Sequence, residues 1–129
     1  MFLSGGERST KGRMVPYCMF IDPPLARIGM SEAQARANGM DLRVVKLPMK
    51  AVLRTRTTSQ TAGFMKALVD SQDRIAGFTM IGSEAGEVMA VVQAAMLGGL
   101  SYSVLRDAVL AHPTMAEGLN ALFGNVAKR

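Results

Sequence analysis

The second half of the chain has the hydrophobic spacing of amphipathic α-helices. Between residues 84 and 97, apolar side chains recur every three or four positions and would share one face of a helix. Gly98-Gly99 then supplies the stop. The apolar positions of this predicted helix are Ala85, Val88, Met89, Val92, Ala95 and Met96.

Two further helices are predicted before the C-terminus. Ser101 can cap a helix that runs through Leu110, because its hydroxyl can accept a hydrogen bond from a free backbone N–H. Another helix should follow Thr114. The residues expected to face inward are Val104, Leu105, Ala108 and Val109 in the first and Leu119, Leu122 and Phe123 in the second.

The first half of the chain is predicted to form strands. The four segments with a strand pattern are residues 14–20, 42–47, 62–70 and 74–81. Pro23-Pro24 and Pro48 end the first two, because proline cannot donate a hydrogen bond to a strand ladder. Ser71-Gln72-Asp73 is a short polar turn, so the last two strands should pair antiparallel.

These elements indicate an α+β fold, with helices packed on an antiparallel sheet of four or five strands. A short helix should begin after Ser31, a good N-cap, and end at Asn38-Gly39. Residues 1–13 are rich in glycine and polar side chains, which is the composition of a linker. We therefore expect a linker over residues 1–13 and one domain over residues 14–129.

Size and cysteine content narrow the class of protein. A chain of 129 residues is long enough for one domain with its own core. No apolar run reaches the roughly 18 residues that a membrane span needs, and Gly5 to Arg8 interrupt any stretch that could resemble a signal peptide. Cys18 is the only cysteine and cannot form an intrachain disulfide, so we expect a cytoplasmic protein.

The net charge of +5 raises the alternative of a basic nucleic-acid binder, whose affinity would fall steeply with salt. The basic residues are scattered, however, and Arg54 and Arg56 are the nearest approach to a cluster. No aromatic side chains alternate with them to form a stacking platform. We therefore interpret the charge as a solvated surface and expect no nucleic-acid partner.

Several kinds of catalytic site have no basis in the sequence. There is no G-x-G-x-x-G after a strand, so neither a flavin-binding nor a nicotinamide-binding fold is expected. One histidine and one cysteine are too few for an ordinary zinc site, and no C-x-x-C pair is present. The chain thus has a group that can transfer protons but no electron carrier.

That group lies in one hexapeptide, HPTMAE at residues 112–117. His112 is the only histidine, and an imidazole changes its protonation near neutral pH. A carboxylate such as Glu117 can hold one ring nitrogen and steady the imidazolium, as in general acid–base sites. The same spacing also has a structural interpretation, because Thr114 and Glu117 fit a capping box. Spacing alone leaves both interpretations open.

Five motifs, in order along the chain, resemble the dimerisation domain of the pyridine nucleotide–disulfide oxidoreductases, the family of glutathione reductase, dihydrolipoamide dehydrogenase and mercuric reductase. His-Pro-Thr-x-x-Glu resembles the signature that closes this domain. The other motifs are an opening strand with a Pro-rich turn (15–29), a helix start (31–33), a hairpin (63–77) and the start of the long helix (82–87). The resemblance covers residues 13–123.

The resemblance implies a homodimer in which this domain offers His112 and Glu117 to the thiol/disulfide active site of the other subunit. His112 would be the acid–base residue and Glu117 its orienting partner. FAD and NAD(P)H would be held by other domains of the parent chain, joined through residues 1–13, so this fragment alone would be inactive. No cofactor-binding or metal-binding residue is expected within it.

The resemblance carries two further expectations and one departure. It implies cis peptide bonds at Asp22-Pro23 and His112-Pro113. It assigns no redox role to Cys18, which we expect to be a small core residue. Residues 123–129 lack the cysteine pair with which mercuric reductases capture metal, so mercury specificity does not follow. The alternative that the sequence leaves open is a free-standing homodimeric interaction module without redox activity.

Overall fold

The computed structural model describes residues 9–127, which form a five-stranded sheet and several helices. The strands are β1 (Tyr17–Met19), β2 (Leu25–Gly29), β3 (Arg43–Pro48), β4 (Phe64–Val69) and β5 (Ile75–Ile81), in the sheet order β1-β2-β5-β4-β3. The α-helices are α1 (Glu32–Ala37), α2 (Leu53–Thr57), α3 (Ala85–Leu97), α4 (Tyr102–Asp107) and α5 (Gly118–Gly124), and a 3-10 turn covers Met49–Ala51. All neighbouring strands are antiparallel, which confirms the predicted fold class.

The β4–β5 hairpin lies inside the sheet and is closed by the polar turn that the sequence predicts. The Asp70 carboxylate accepts the backbone N–H groups of Gln72 and Arg74 at 2.8 and 2.9 Å. Burial raises the pKa of Asp70, but the two N–H groups and the Arg74 side chain outweigh it, and the pKa lies below its ordinary value. These charge-assisted hydrogen bonds hold the turn in place.

One face of the sheet forms the core together with α3 and α5. Because side chains alternate along a strand, buried residues of adjacent strands lie opposite each other, as in Ala26–Met80 and Ala67–Phe78. Helix α3 packs over β2 and β5, and α5 packs over β3 and β4. Each fully buried Val, Phe or Met side chain in this layer contributes about 1.5–3 kcal/mol. The predicted long helix 84–97 is therefore confirmed as a core element.

Helix α1 lies against the opposite face of the sheet. Glu32 forms an ion pair with Lys66 of β4 at 3.4 Å, and Gln34 accepts a hydrogen bond from Arg27 of β2 at 3.0 Å. The predicted cap is present, since the Ser31 hydroxyl accepts the backbone N–H of Gln34 while the Gln34 side chain accepts that of Ser31. Helix α1 thus lies over part of the second face and contacts it through polar side chains, although that face also carries apolar residues such as Phe64 and the buried Leu68.

The structure corrects the predicted helix through Leu110. Helix α4 ends at Asp107, and Ala108 is already extended. Only Tyr102 and Leu105 of α4 are buried, whereas Val104 is half-exposed and Val109 is fully exposed. The prediction that Val104 and Val109 face inward is therefore wrong, because the short helix directs only one narrow side toward the core.

The opening of the chain also differs from the prediction. Strand β1 covers three residues, and all of them, Cys18 included, are exposed. The prediction that Cys18 is a core residue is wrong, because β1 is the edge strand and has a neighbour on one side only. Of the predicted linker, residues 1–8 lie outside the described residues, and residues 9–13 form neither helix nor strand. No helix within residues 9–127 has the length and apolar composition needed to cross a membrane.

Candidate active-site segment around His112

The segment that carries His112 connects α4 to α5. It leaves α4 in extended conformation at Ala108 and turns back toward the core before Gly118. The two cis peptide bonds implied by the resemblance, Asp22-Pro23 and His112-Pro113, are both present. The segment is anchored by Met115, which is buried, and by α5, whose apolar side chains enter the core.

His112 and Glu117 are in contact. The distance between His112 Nδ1 and Glu117 Oε1 is 2.8 Å, within the range expected of an orienting carboxylate. The other carboxylate oxygen, Oε2, accepts the backbone N–H of Thr114 at 2.9 Å. The Thr114 hydroxyl accepts the N–H of Glu117 at 3.3 Å and donates to the carbonyl of Ala111 at 2.7 Å. The two reciprocal hydrogen bonds of a capping box thus join Thr114 and Glu117, but they close the turn ahead of α5, which begins only at Gly118. Each oxygen of Glu117 has its own partner, His112 for one and Thr114 for the other.

The ionised form of the Glu117 side chain is stabilised by its hydrogen-bond partners. The backbone N–H of Thr114 lowers the pKa of Glu117 most, burial raises it, and the hydrogen bond from His112 lowers it further, so that the pKa is below its ordinary value. A carboxylate that remains ionised accepts a hydrogen bond, which makes Nδ1 the donor in the neutral ring. Nε2 is then the unprotonated nitrogen, and the ring is well placed to offer it because 63% of the side chain is exposed.

The lowered pKa predicts an effect of pH on stability. A group whose pKa is lower in the folded state binds fewer protons there, so its contribution is full above the unfolded pKa and is lost as the pH falls through the folded value. We therefore expect the stability difference between the wild-type chain and Glu117→Gln to shrink below about pH 4. Urea unfolding at neutral and acidic pH measures it, and a difference that stays constant across this range would contradict the assignment.

A cleft of about 540 Å³ lies beside the turn at residues 113–116. Its other walls come from α2 and from the start of α3, and the charged residues Arg54, Glu84 and Glu87 line it. Sequence reasoning missed this cleft, because its walls are some 30 residues apart along the chain and share no motif. The structure therefore shows charged residues beside the His112 segment that the spacing of residues in the sequence did not reveal.

The connection from β5 to α3 is a strand-to-helix turn with glycines. Such turns can bind the pyrophosphate of a dinucleotide, so we asked whether this one could. A helix N-terminus binds pyrophosphate through its free N–H groups and positive end. Here Glu84 is the N-cap, without a side-chain hydrogen bond to the helix, and Glu87 lies in the first turn, so two negatively charged residues stand at that end. A pyrophosphate does not fit beside them, and this connection is not a flavin or nicotinamide site.

Comparison with known proteins agrees with the fold. The sequence pattern of the pyridine nucleotide-disulphide oxidoreductase dimerisation domain matches residues 15–123. The chain belongs to this family, as its dimerisation domain.

Two curated relatives illustrate the similarity. The chain is 44% identical over 126 residues to the probable pyridine nucleotide-disulfide oxidoreductase RclA of Escherichia coli (strain K12), a match that covers 96% of this chain and 29% of the relative. It is 34% identical over 114 residues to the mercuric reductase of Staphylococcus aureus, covering 88% of this chain and 21% of the relative. The chain thus spans less than a third of these relatives.

A solved structure supports the same assignment. The HOCl-induced flavoprotein disulfide reductase RclA from Escherichia coli matches with a TM-score of 0.93 at 44% identity, over 98% of this chain and 29% of that chain. The resemblance inferred from the five motifs is therefore confirmed at the level of family and fold.

Proposed function

We propose that this chain is the C-terminal dimerisation domain of an FAD-dependent pyridine nucleotide–disulfide oxidoreductase, in which residues 1–13 lead from a flavin domain. It forms the homodimer and supplies His112 and Glu117 to the thiol/disulfide site of the partner subunit. The observation that carries the proposal is the 2.8 Å contact between Nδ1 and a carboxylate on a largely exposed ring. An exposed ring held in one orientation is suited to meet a group from another chain.

The chemistry required of His112 is proton transfer. With Nδ1 bonded to Glu117, Nε2 takes the proton of an active-site thiol, which leaves a thiolate and an imidazolium. The reverse transfer returns the proton to a thiolate that leaves when a disulfide is cleaved. Glu117 stabilises the imidazolium between these steps, because its negative charge lies 2.8 Å from Nδ1 of the positive ring.

FAD and NAD(P)H belong to the other domains of the parent chain in this proposal. The β5–α3 connection does not fit a pyrophosphate, as its two carboxylates show, and the sequence has no G-x-G-x-x-G. The relative RclA is a flavoprotein disulfide reductase, which supports a flavin in the intact enzyme. This chain alone is then expected to be inactive.

Replacing Glu117 tests the pair in the intact enzyme. In the chain joined to its flavin and nicotinamide domains, Glu117→Gln should slow disulfide reduction, but less than loss of the imidazole would. The amide oxygen can still accept one hydrogen bond, whereas it cannot stabilise the imidazolium with a charge. Steady-state turnover at neutral pH measures the effect. Unchanged turnover would leave Glu117 with its capping role alone.

The surface around α4 is proposed as part of the dimer interface. Its exposed apolar side chains lie at the end of α3, on α4 and just beyond it: Leu97, Leu100, Val104 and Val109. Leu105, on the same helix, is buried in the core beneath this surface. Large apolar residues exposed together are typical of surfaces that another subunit covers.

Val109→Asp should therefore weaken self-association, because a carboxylate would have to lose its water in an apolar interface. Sedimentation equilibrium of this chain across a concentration series measures the dissociation constant of the dimer. The constant should rise at least about tenfold, which corresponds to about 1.4 kcal/mol. The control is Val44→Asp, at a half-exposed valine of the edge strand β3, away from α4. Equal dimerisation of the wild type and Val109→Asp would place the interface elsewhere.

A further inference from the structure

One side chain of α5 holds the end of α4. The amide nitrogen of Asn120 donates to the carbonyl of Leu105 at 2.8 Å and to that of Ala108 at 3.0 Å. The carbonyl of Arg106 is 3.2 Å away and shares the same two hydrogens. The last carbonyls of a helix have no partner within it, so Asn120 satisfies groups that α4 itself cannot.

These hydrogen bonds from Asn120 hold the backbone a few residues before His112. Ala108 is four residues ahead of His112, and between them Val109 is fully exposed and contributes no packing to the core. The other end of the segment is held by Glu117, directly before the first residue of α5. The start of the His112 segment is therefore held by Asn120 of α5, and its end by Glu117, the residue that precedes α5.

No neighbour on α5 can replace Asn120 in this role. The buried side chains of the helix are Leu119, Leu122 and Phe123, which have no hydrogen to donate. Asparagine is also a weak helix former, so intrinsic propensity does not account for its presence there. What distinguishes it at this position is an amide that reaches carbonyls twelve to fifteen residues earlier in the chain.

We propose that Asn120 is a positioning residue for His112. By binding the carbonyls of Leu105 and Ala108, it sets where the connecting segment begins and so keeps the ring within reach of Glu117. It acts through the backbone and touches neither the ring nor a substrate. Its consequence for turnover rests on the proposed function, whereas its effect on the ring is a property of this chain alone.

The ring itself provides the test. His112 is the only histidine, so its nitrogen signals are unambiguous in ¹⁵N NMR of the 129-residue chain. In the wild type, the neutral ring should favour the form protonated at Nδ1, because Glu117 accepts from that nitrogen. In Asn120→Ala this preference should be lost, with signals moving toward those of Glu117→Ala. Asn120→Asp keeps the shape but has no donor when ionised, and should behave like Asn120→Ala.

Asn125→Ala is the matched control, since Asn125 is exposed at the other end of α5. It should retain the wild-type ring signals. If Asn120→Ala does not fold, Asn120→Ser replaces it, because a hydroxyl is too short to span both carbonyls. An unchanged preference for the Nδ1-protonated form in a folded Asn120 variant would overturn the proposal.

The intact enzyme separates this proposal from the proposed function. There Asn120→Ala should lower kcat by up to about 10²-fold, the effect of a small misplacement, with KM nearly unchanged. Its pH profile should also shift, which loss of stability alone would not cause. Intact turnover in His112→Ala would refute the catalytic role of the ring, yet leave the NMR result on Asn120 standing. Unchanged ring signals would refute the Asn120 proposal whatever the turnover of His112→Ala.

Discussion

His112→Ala is expected to slow thiol–disulfide turnover of the intact enzyme by about 10²–10⁴-fold, the usual effect of removing a positioned acid–base group. The variant keeps the backbone of the turn and its Thr114–Glu117 cap, so the proton acceptor is removed while the local structure remains. Turnover with a saturating disulfide substrate measures the loss. Flavin content and dimer fraction, measured on the same sample, should match the wild type.

His112→Asn is the matched control for this prediction. Its amide can still donate to Glu117 but does not titrate near neutral pH, so it should be nearly as slow as His112→Ala. The capping interpretation makes the opposite prediction. If His112→Ala turned over normally while Glu117→Gln lowered the melting temperature, the hexapeptide would serve only to start α5.

A mixed dimer is expected to recover activity that neither parent has. One subunit carries His112→Ala with the proposed thiol/disulfide site of its other domains intact, and the other carries His112 with the cysteines of that site replaced. If His112 acts across the interface as proposed, one of the two sites in the mixed dimer combines intact cysteines with the partner's imidazole. Differently tagged subunits, coexpressed and purified through both tags, allow turnover per flavin to be measured.

The arrangement of the mutations provides the control. Placing His112→Ala and the cysteine replacement in the same subunit, opposite a wild-type subunit, leaves neither site with both partners. That dimer should be as slow as the parents if His112 acts across the interface. If it were active and the first mixed dimer were not, His112 would act within its own subunit, and the proposed transfer between subunits would be wrong.

Some features of this protein follow from short stretches of sequence because their physical causes are local. Helix α3 repeats its apolar residues every three or four positions over its whole length, and only a helix brings them together. The Ser31 cap and the Asp70 turn depend on hydrogen bonds between residues two to four apart. The His112–Glu117 contact is equally local, since five residues and one turn separate the two side chains.

Other elements were not predictable from local pattern. Strand β2 (Leu25–Gly29) has an arginine at its centre and follows two prolines, and it becomes a strand by pairing with β5, some 50 residues later. Helix α2 has two arginines and no apolar stripe. It is held by Thr55, which is buried and donates to the carbonyls of Met49 and Val52. The partner of β2 lies outside the short window in which a periodic pattern can be detected. The partners of Thr55 are close in the chain, but a hydroxyl that bonds backbone carbonyls leaves no hydrophobic pattern.

By itself, the sequence determined the α+β class, the long helix and the hairpin, and it made a contact between His112 and Glu117 possible, because periodicity, turn chemistry and capping operate within a few residues. Only the tertiary structure decided which side chains are exposed around α4, where the charged cleft lies, and that Asn120 holds the backbone ahead of His112. These depend on contacts between elements far apart in the chain, and such contacts form only when the sheet and its helices pack together.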